Sequence, residues 1–284
     1  MVDFLGIGAQ KAGTTWLFDK LRQHPNIWMP FMKETHYFDN VHLKPDRSGM
    51  SPRVARNARA WAGPLGWKRR FPFSRIWPER IAYFDRLADP DFADSDEWYR
   101  YIFSIAPAGA TTGEITPLYS VIGRDGIAHV KRLLPDVRLI YLVRDPADRA
   151  LSSMRMQAER SEIDLADPAA VTEFGREQMA RPGFRARGDY AANIPLWDEA
   201  FADRVLYLPF GAIREQPATV MRQIETFLAL PHFDGYRGLS TPSHTTSKSI
   251  AITAELREDF ARETADQLPF LTERFPPDFV AKLR

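Results

Sequence analysis

Lysine, glycine and threonine crowd a short stretch near the start of the chain. Residues 8–15 read Gly-Ala-Gln-Lys-Ala-Gly-Thr-Thr. An apolar run, Phe4 to Gly8, leads in, and an amphipathic stretch with Trp16, Leu17, Phe18 and Leu21 leads out. Strand, glycine-rich turn and helix in that order cradle phosphate on backbone N–H groups and on the positive end of the helix dipole. The common nucleotide loop reads G-x-x-x-x-G-K-[ST], with its lysine just before the hydroxyl residue. Here the lysine stands inside the loop, as Lys11. Three readings are open: a degenerate ATP loop, a loop for another phosphate ligand, or an ordinary turn.

A second group ends another apolar run. Val137 to Val143 reads Val-Arg-Leu-Ile-Tyr-Leu-Val, then Arg144-Asp145-Pro146 follows, with Ser152 eight residues beyond Arg144. A guanidinium fork plus a hydroxyl makes a receptor for a phosphate dianion. The plainer reading pairs Arg144 with Asp145 or Asp148 at the surface.

The elements that must position these groups are legible in outline. Phe4 to Gly8 reads as a strand, and Thr14 suits an N-cap for the helix after it. His24-Pro25 stops that helix. Asn26 to Phe31 reads as a short extended segment. The continuous apolar run at Val137 to Val143 predicts a strand covered on both faces, as in a parallel sheet. Pro146 suits the first turn of the next helix. Gly109 to Ser120 reads as a short strand with a polar end, and Arg204 to Phe210 as a later strand. Helices are expected over Ile127 to Leu134, over Gln216 to Leu230, and from Thr253 to Leu268. From about 44 to 100 the regularity fades into an irregular, Trp- and Arg-rich insertion with a helix or two. Strands alternating with helices point to one α/β domain over 1–284, with a central, mostly parallel sheet flanked by helices. In such sheets ligands gather at the C-terminal strand ends, where both groups stand.

Composition narrows the partners. The 284 residues carry a net charge of +1, which gives no global argument for nucleic acid or a membrane surface. Without cysteine there is no disulfide, thiolate metal site or cysteine nucleophile. No apolar run approaches the length of a bilayer span. The first strand begins by residue 3, leaving no room for a signal peptide, so a cytoplasmic protein is the expectation.

Together the two groups resemble the sulfotransferase family that uses 3′-phosphoadenosine 5′-phosphosulfate (PAPS). "GAQKAGTTWL" is similar to its 5′-phosphosulfate loop, and "YLVRDPADRALSS" to its 3′-phosphate motif. "KETHYFD", "GEITPLY", "GDYAANIPLWDEAF" and "QIETFLAL" resemble, in order, segments of the branch that holds the heparan sulfate and related carbohydrate sulfotransferases and their bacterial relatives. The resemblance implies a P-loop-like nucleotide-binding fold. It implies PAPS as sulfuryl donor, adenosine 3′,5′-bisphosphate (PAP) as product, and no metal. The acceptor would be a hydroxyl or amine of a carbohydrate or small molecule. Lys11, Ala12, Gly13, Thr14, Thr15 and Trp16 would hold the 5′ end, and Arg144 and Ser152 the 3′-phosphate. Tyr190, Ser247 and Lys248 would stand near the nucleotide.

The resemblance assigns the general base to Glu34. His36 lies two residues on, so on an extended segment it shares Glu34's face and either orients it or acts as base itself. The plainer reading of Glu34 is an ion pair with Lys33. One departure matters: in the heparan branch a lysine that assists catalysis stands where this chain has Ile115, so either Lys11 suffices or another cation substitutes. Glu114 beside it is retained, to support the acceptor or position a neighbour. The rival functions are a P-loop-type kinase using ATP and a non-catalytic nucleotide-binding regulator.

Overall fold

The computed structural model describes residues 2–43, 78–241 and 249–284. Five parallel strands form the sheet: β1 (Phe4–Gly8), β2 (Ile27–Trp28), β3 (Thr111–Ile115), β4 (Arg138–Val143) and β5 (Val205–Pro209). Their spatial order is β2-β3-β1-β4-β5. Every pairing among them is parallel, so the expectation of a mostly parallel α/β sheet holds in full. All five residues of β1 and the last five of β4 are buried, as helices on both faces require.

This order places the chemistry. β1 lies between β3 and β4, and the chain crosses from one side of β1 to the other after β3. A crevice opens at such a switch point, beyond the C-terminal ends of the strands. The loops after β1, β3 and β4 all meet there. Gly8 is needed because a Cβ on it would lie 2.8 Å from the Tyr141 ring and 2.9 Å from Ser120.

Several boundaries differ from the sequence expectation. Thr14 is not the cap of the first helix: Gly13, at φ 91°, occupies that position and the helix runs Thr14–Leu21. A left-handed glycine delivers the chain straight into the helix, which leaves the Thr14 hydroxyl out of capping. The expected last helix splits into Ala254–Glu263 and Gln267–Arg274, with the Thr264 hydroxyl turned back onto the Phe260 carbonyl. The helix expected over Gln216 to Leu230 runs Pro217–Phe227, and it buries Glu225 along with its apolar stripe. Within the insertion, helices at Pro78–Leu87 and Asp96–Ile102 are present, and residues 44–77 lie outside the described ones.

Two cores hold the layers. The larger one packs both sides of the sheet. A smaller one, with Met154, Val171, Phe184, Leu256 and Phe260, sits under the helices Pro146–Ala158, Pro168–Ala180 and Ala254–Glu263.

Candidate active site

A cavity of about 610 Å³ opens over the C-terminal ends of β1, β3 and β4. Lys11, Gly13, Thr14, Thr15 and Trp16 line it from the first loop and helix. Arg144 and Ser152 line it from the end of β4 and the helix Pro146–Ala158. Glu34 lines it as well, so both phosphate-type groups and the carboxylate share one space. Five cations (Lys11, Lys33, Arg144, Arg160, Arg214) face two carboxylates (Glu34, Glu159) on its walls, which leaves an excess of positive charge there.

Arg144 is built into the loop. Its Nη1 donates to the Lys11 carbonyl at 2.9 Å, and its guanidinium lies 4.4 Å from the Phe210 ring centre. The surface-pair reading fails for Asp145, whose carboxylate caps the next helix through Asp148 N and meets Arg284 Nε at 3.0 Å. Burial pushes the Arg144 pKa down, but the guanidinium remains a cation. Its buried Nε has no hydrogen-bond partner. A buried donor left open at a cavity wall is what an anionic ligand would satisfy.

Lys11 sits at φ 71°, in the left-handed region. Burial first, then Arg144 and Arg160, push its pKa below the usual lysine value. The first-turn N–H groups of the Thr14–Leu21 helix have no intrahelical acceptors and point at the same space. Trp16 shapes the far wall, its Nε1 donating to the Leu239 carbonyl at 2.8 Å.

The segment 34–36 is not extended. Glu34 and His36 both have positive φ, 65° and 56°. The contact expected from an extended strand is made all the same, by the turn: His36 Nε2 lies 3.0 Å from Glu34 Oε2. His36 Nδ1 lies 2.9 Å from Asp39 Oδ2. Burial pushes the His36 pKa down, but hydrogen bonds to Asp39 and Glu34 outweigh it and raise the value to about 9. An imidazolium donating from both nitrogens has no lone pair for a proton, and in that state His36 bridges Glu34 and Asp39. Lys33 Nζ holds the other Glu34 oxygen at 3.1 Å, the ion pair of the plainer reading. Burial works to raise the Glu34 pKa, yet the His36 hydrogen bond and the Lys33 charge hold it at about 2.

Glu114 fastens this turn from below. It is 1% exposed and accepts from Thr35 Oγ1 at 2.6 Å, Thr116 Oγ1 at 2.8 Å, Tyr119 OH at 2.8 Å and Tyr99 OH at 2.9 Å. Burial raises its pKa in spite of those donors. Thr35 N also donates to Thr116 Oγ1 at 3.1 Å. Glu114 therefore positions the residue between Glu34 and His36.

Other expected residues stand elsewhere. Ala12 and Tyr190 are fully buried and off the cavity wall. Tyr190 acts behind it: its hydroxyl accepts the Arg144 N–H at 3.2 Å. Ser247 and Lys248 lie outside the described residues. Ile115, where the resemblance expects lysine, is 1% exposed. Among the described residues no cluster of three or more His, Asp or Glu side chains is placed to hold a metal. The wall residues Lys33, Arg160, Phe210 and Arg214 were not expected as ligand groups. Phe210 and Arg214 follow β5, and the rule that ligands gather at strand ends was the signal for them.

The match to the sulfotransferase family covers residues 4–234. The chain belongs to the sulfotransferase family. It is 24% identical over 258 residues to the human bifunctional heparan sulfate N-deacetylase/N-sulfotransferase 3, covering 85% of this chain and 24% of that protein. It is 28% identical over 175 residues to the human heparan sulfate glucosamine 3-O-sulfotransferase 3B1, covering 58% of this chain and 43% of that one. The chain thus spans between about a quarter and a half of these relatives' lengths. In fold it is similar to a sulfotransferase from Alicyclobacillus acidocaldarius, with a TM-score of 0.63, 22% identity, and coverage of 100% of this chain and 99% of that one. The sulfotransferase domain of the Synechococcus PCC 7002 olefin synthase aligns with a TM-score of 0.57 at 16% identity, over 97% and 95% of the two chains. Among the described residues no helix is long and apolar enough to cross a membrane.

Proposed function

We propose that this sulfotransferase uses PAPS to sulfate a hydroxyl or amine of a carbohydrate or small-molecule acceptor, with residues 1–284 acting as one catalytic domain. The observation that carries the reading is Arg144, tied to Lys11 and open at Nε, in one cavity with Ser152 and Glu34. When bound, PAPS supplies a sulfuryl group on a phosphate leaving group. Arg144 and Ser152 bind its 3′-phosphate. Lys11, the Thr14 and Thr15 hydroxyls and the helix N–H groups bind the 5′ end and stabilise charge on the departing oxygen.

Glu34 takes the acceptor's proton. A carboxylate held at about 2 is too weak a base for that task at neutral pH. Lys33 resolves the difficulty. It faces the same cavity as Lys11, and their charges repel. With an anionic donor bound in that cavity, Lys33 would turn from Glu34 toward it, which would free Oε1 and lift the carboxylate's basicity. Lys33 then neutralises the sulfuryl oxygens, the work of the family lysine absent at Ile115. His36, held by Asp39, keeps the other oxygen aimed throughout.

Calorimetric titration with PAP without metal, beside ATP with Mg²⁺, tests the donor. Tight PAP binding, weakened about 10- to 100-fold in Arg144→Ala, is expected from the loss of charged hydrogen bonds. Preference for ATP with Mg²⁺ would overturn the reading in favour of a kinase.

A further inference from the structure

Residues 282–284, just past the helix Pro277–Val280, tie together two segments of the donor site. The Leu283 carbonyl accepts the N–H of Asp145, the residue after Arg144, at 2.8 Å. The Lys282 carbonyl accepts the N–H of Gly211, the residue after Phe210, at 2.7 Å. The Arg284 carbonyl accepts from Arg214 Nη2 at 3.2 Å. Arg144, Phe210 and Arg214 all stand on the wall of the donor cavity. Gly211 permits the close approach, since a Cβ on it would lie 2.6 Å from the Lys282 carbonyl oxygen. Leu283, 2% exposed, anchors the segment in the larger core.

The Arg284 side chain has a separate partner. Its Nε donates to Asp145 Oδ2 at 3.0 Å. The arginine side chain is 77% exposed and the aspartate side chain 10%. An ion pair with one partner so exposed adds little to stability, so its consequence is to be sought at Asp145. The other carboxylate oxygen, Oδ1, accepts from Asp148 N at 3.0 Å as the helix cap. With Arg284 in place, both oxygens of Asp145 are engaged.

Oδ2 has a rival partner close by. Arg144 adjoins Asp145 in the chain, and the charges of Asp148 and Asp145 both act on it. Its buried Nε is open. A largely buried carboxylate that lost Arg284 would seek another donor, because leaving its oxygen unpaired is costly. The open guanidinium beside it can supply one. A carboxylate on Arg144 would occupy the donors that a phosphate needs and cancel the charge that attracts it.

We propose that Arg284 is a positioning residue for donor binding: by holding Asp145 Oδ2 it keeps that carboxylate off Arg144 and leaves the guanidinium free for the donor's 3′-phosphate. The inference rests on the PAPS reading above and adds a residue to it. Arg284 is not on the wall of the cavity and acts through Asp145.

The test is calorimetric titration of the full chain with PAP and, separately, with ATP, on wild type, Arg284→Ala, Asp145→Asn and the double variant. Arg284→Ala is expected to weaken PAP about 10-fold, the scale of one charged hydrogen bond, and ATP, which lacks the 3′-phosphate, by much less. Its urea unfolding should stay close to that of wild type. Asp145→Asn keeps an oxygen to cap the helix but removes the competing charge. In that background the loss of Arg284 should no longer matter, so the double variant should bind PAP as Asp145→Asn alone does. A merely structural role for the pair would give no such rescue, since both single variants break it. Unchanged PAP affinity in Arg284→Ala, an equal loss for ATP, or a loss that persists in the Asp145→Asn background would each overturn the proposal. A wild-type chain that does not bind PAP would sink the donor reading, and this inference with it.

Discussion

Arg144 and Lys11 are 133 positions apart, yet the Arg144 Nη1 hydrogen bond to the Lys11 carbonyl makes one unit of the loops after β1 and β4. The arrangement means that the guanidinium shapes the left-handed Lys11 turn while it faces the ligand. Arg144→Lys keeps the charge but cannot both hold that carbonyl and present a fork to a phosphate. Its PAP affinity is expected to fall about 10-fold or more, measured by calorimetry, with ATP affinity changed less. Equal losses for PAP and ATP would mean that Arg144 does not read the 3′-phosphate.

Lys33→Met tests the exchange at Glu34. Without Lys33 one of the groups holding Glu34 near 2 is gone, so the carboxylate's pKa rises and the acid limb of kcat/KM moves to higher pH. Turnover is expected to fall about 10²-fold, the scale of a lost electrostatic donor, because the sulfuryl oxygens lose their cation. PAP carries no sulfuryl group, so its affinity should hold. A variant that keeps wild-type turnover removes Lys33 from the chemistry.

The Glu34–His36 pair also sets a pH window for stability. His36 is raised from 6.5 to about 9, so its contribution is full below about 6.5 and lost as the pH climbs through about 9. Glu34 is lowered from 4.5 to about 2, so its contribution is full above about 4.5 and lost as the pH falls through about 2. Urea unfolding between pH 6.5 and 9 should show wild-type stability declining and His36→Gln losing that slope. Parallel curves for the two proteins would contradict the raised His36.

Much of this was legible before any coordinates. β1 and β4 read as strands because both faces are buried and the apolar runs are unbroken. Lys11, Arg144 and Ser152 were legible because they follow strand ends, where parallel sheets expose chemistry. The clamp on Thr35 was not: Glu114 lies 79 positions away, and the parallel pairing of β3 with β2 brings it under the turn. The left-handed backbone at Glu34 and His36 was hidden for a related reason. Neither residue type announces positive φ, and the conformation exists because the turn is held from outside. Arg284 looks like solvated surface in sequence, since nothing local says that it meets Asp145.

Glu114→Ala should separate that clamp from donor binding. It leaves four hydroxyl donors without their acceptor and opens a buried gap, at a cost of about 3 kcal/mol or more in urea unfolding. With Thr35 freed, Glu34 and His36 lose their registration. Turnover should therefore fall far more than PAP affinity, which depends on the loops after β1 and β4. A stable variant with normal turnover would leave Glu114 no positioning role.

Ile115→Lys asks whether the family's lysine was simply misplaced here. Ile115 is 1% exposed and packs where Gly6 has no side chain: a Cβ on Gly6 would lie 2.7 Å from Ile115 Cγ1. Its neighbour Glu114 points at the Thr35 turn, and successive strand residues face opposite ways. An ammonium at 115 would thus enter the packed layer under β1, where an unpaired charge costs several kcal/mol or titrates to neutral. The variant should unfold at clearly lower urea, and added to Lys33→Met it should restore no turnover. That pattern would place the transferring group's cation on the loop after β2. Recovery of turnover in the double variant would show that a side chain at 115 reaches the cavity after all, and Lys33 would lose its assigned part.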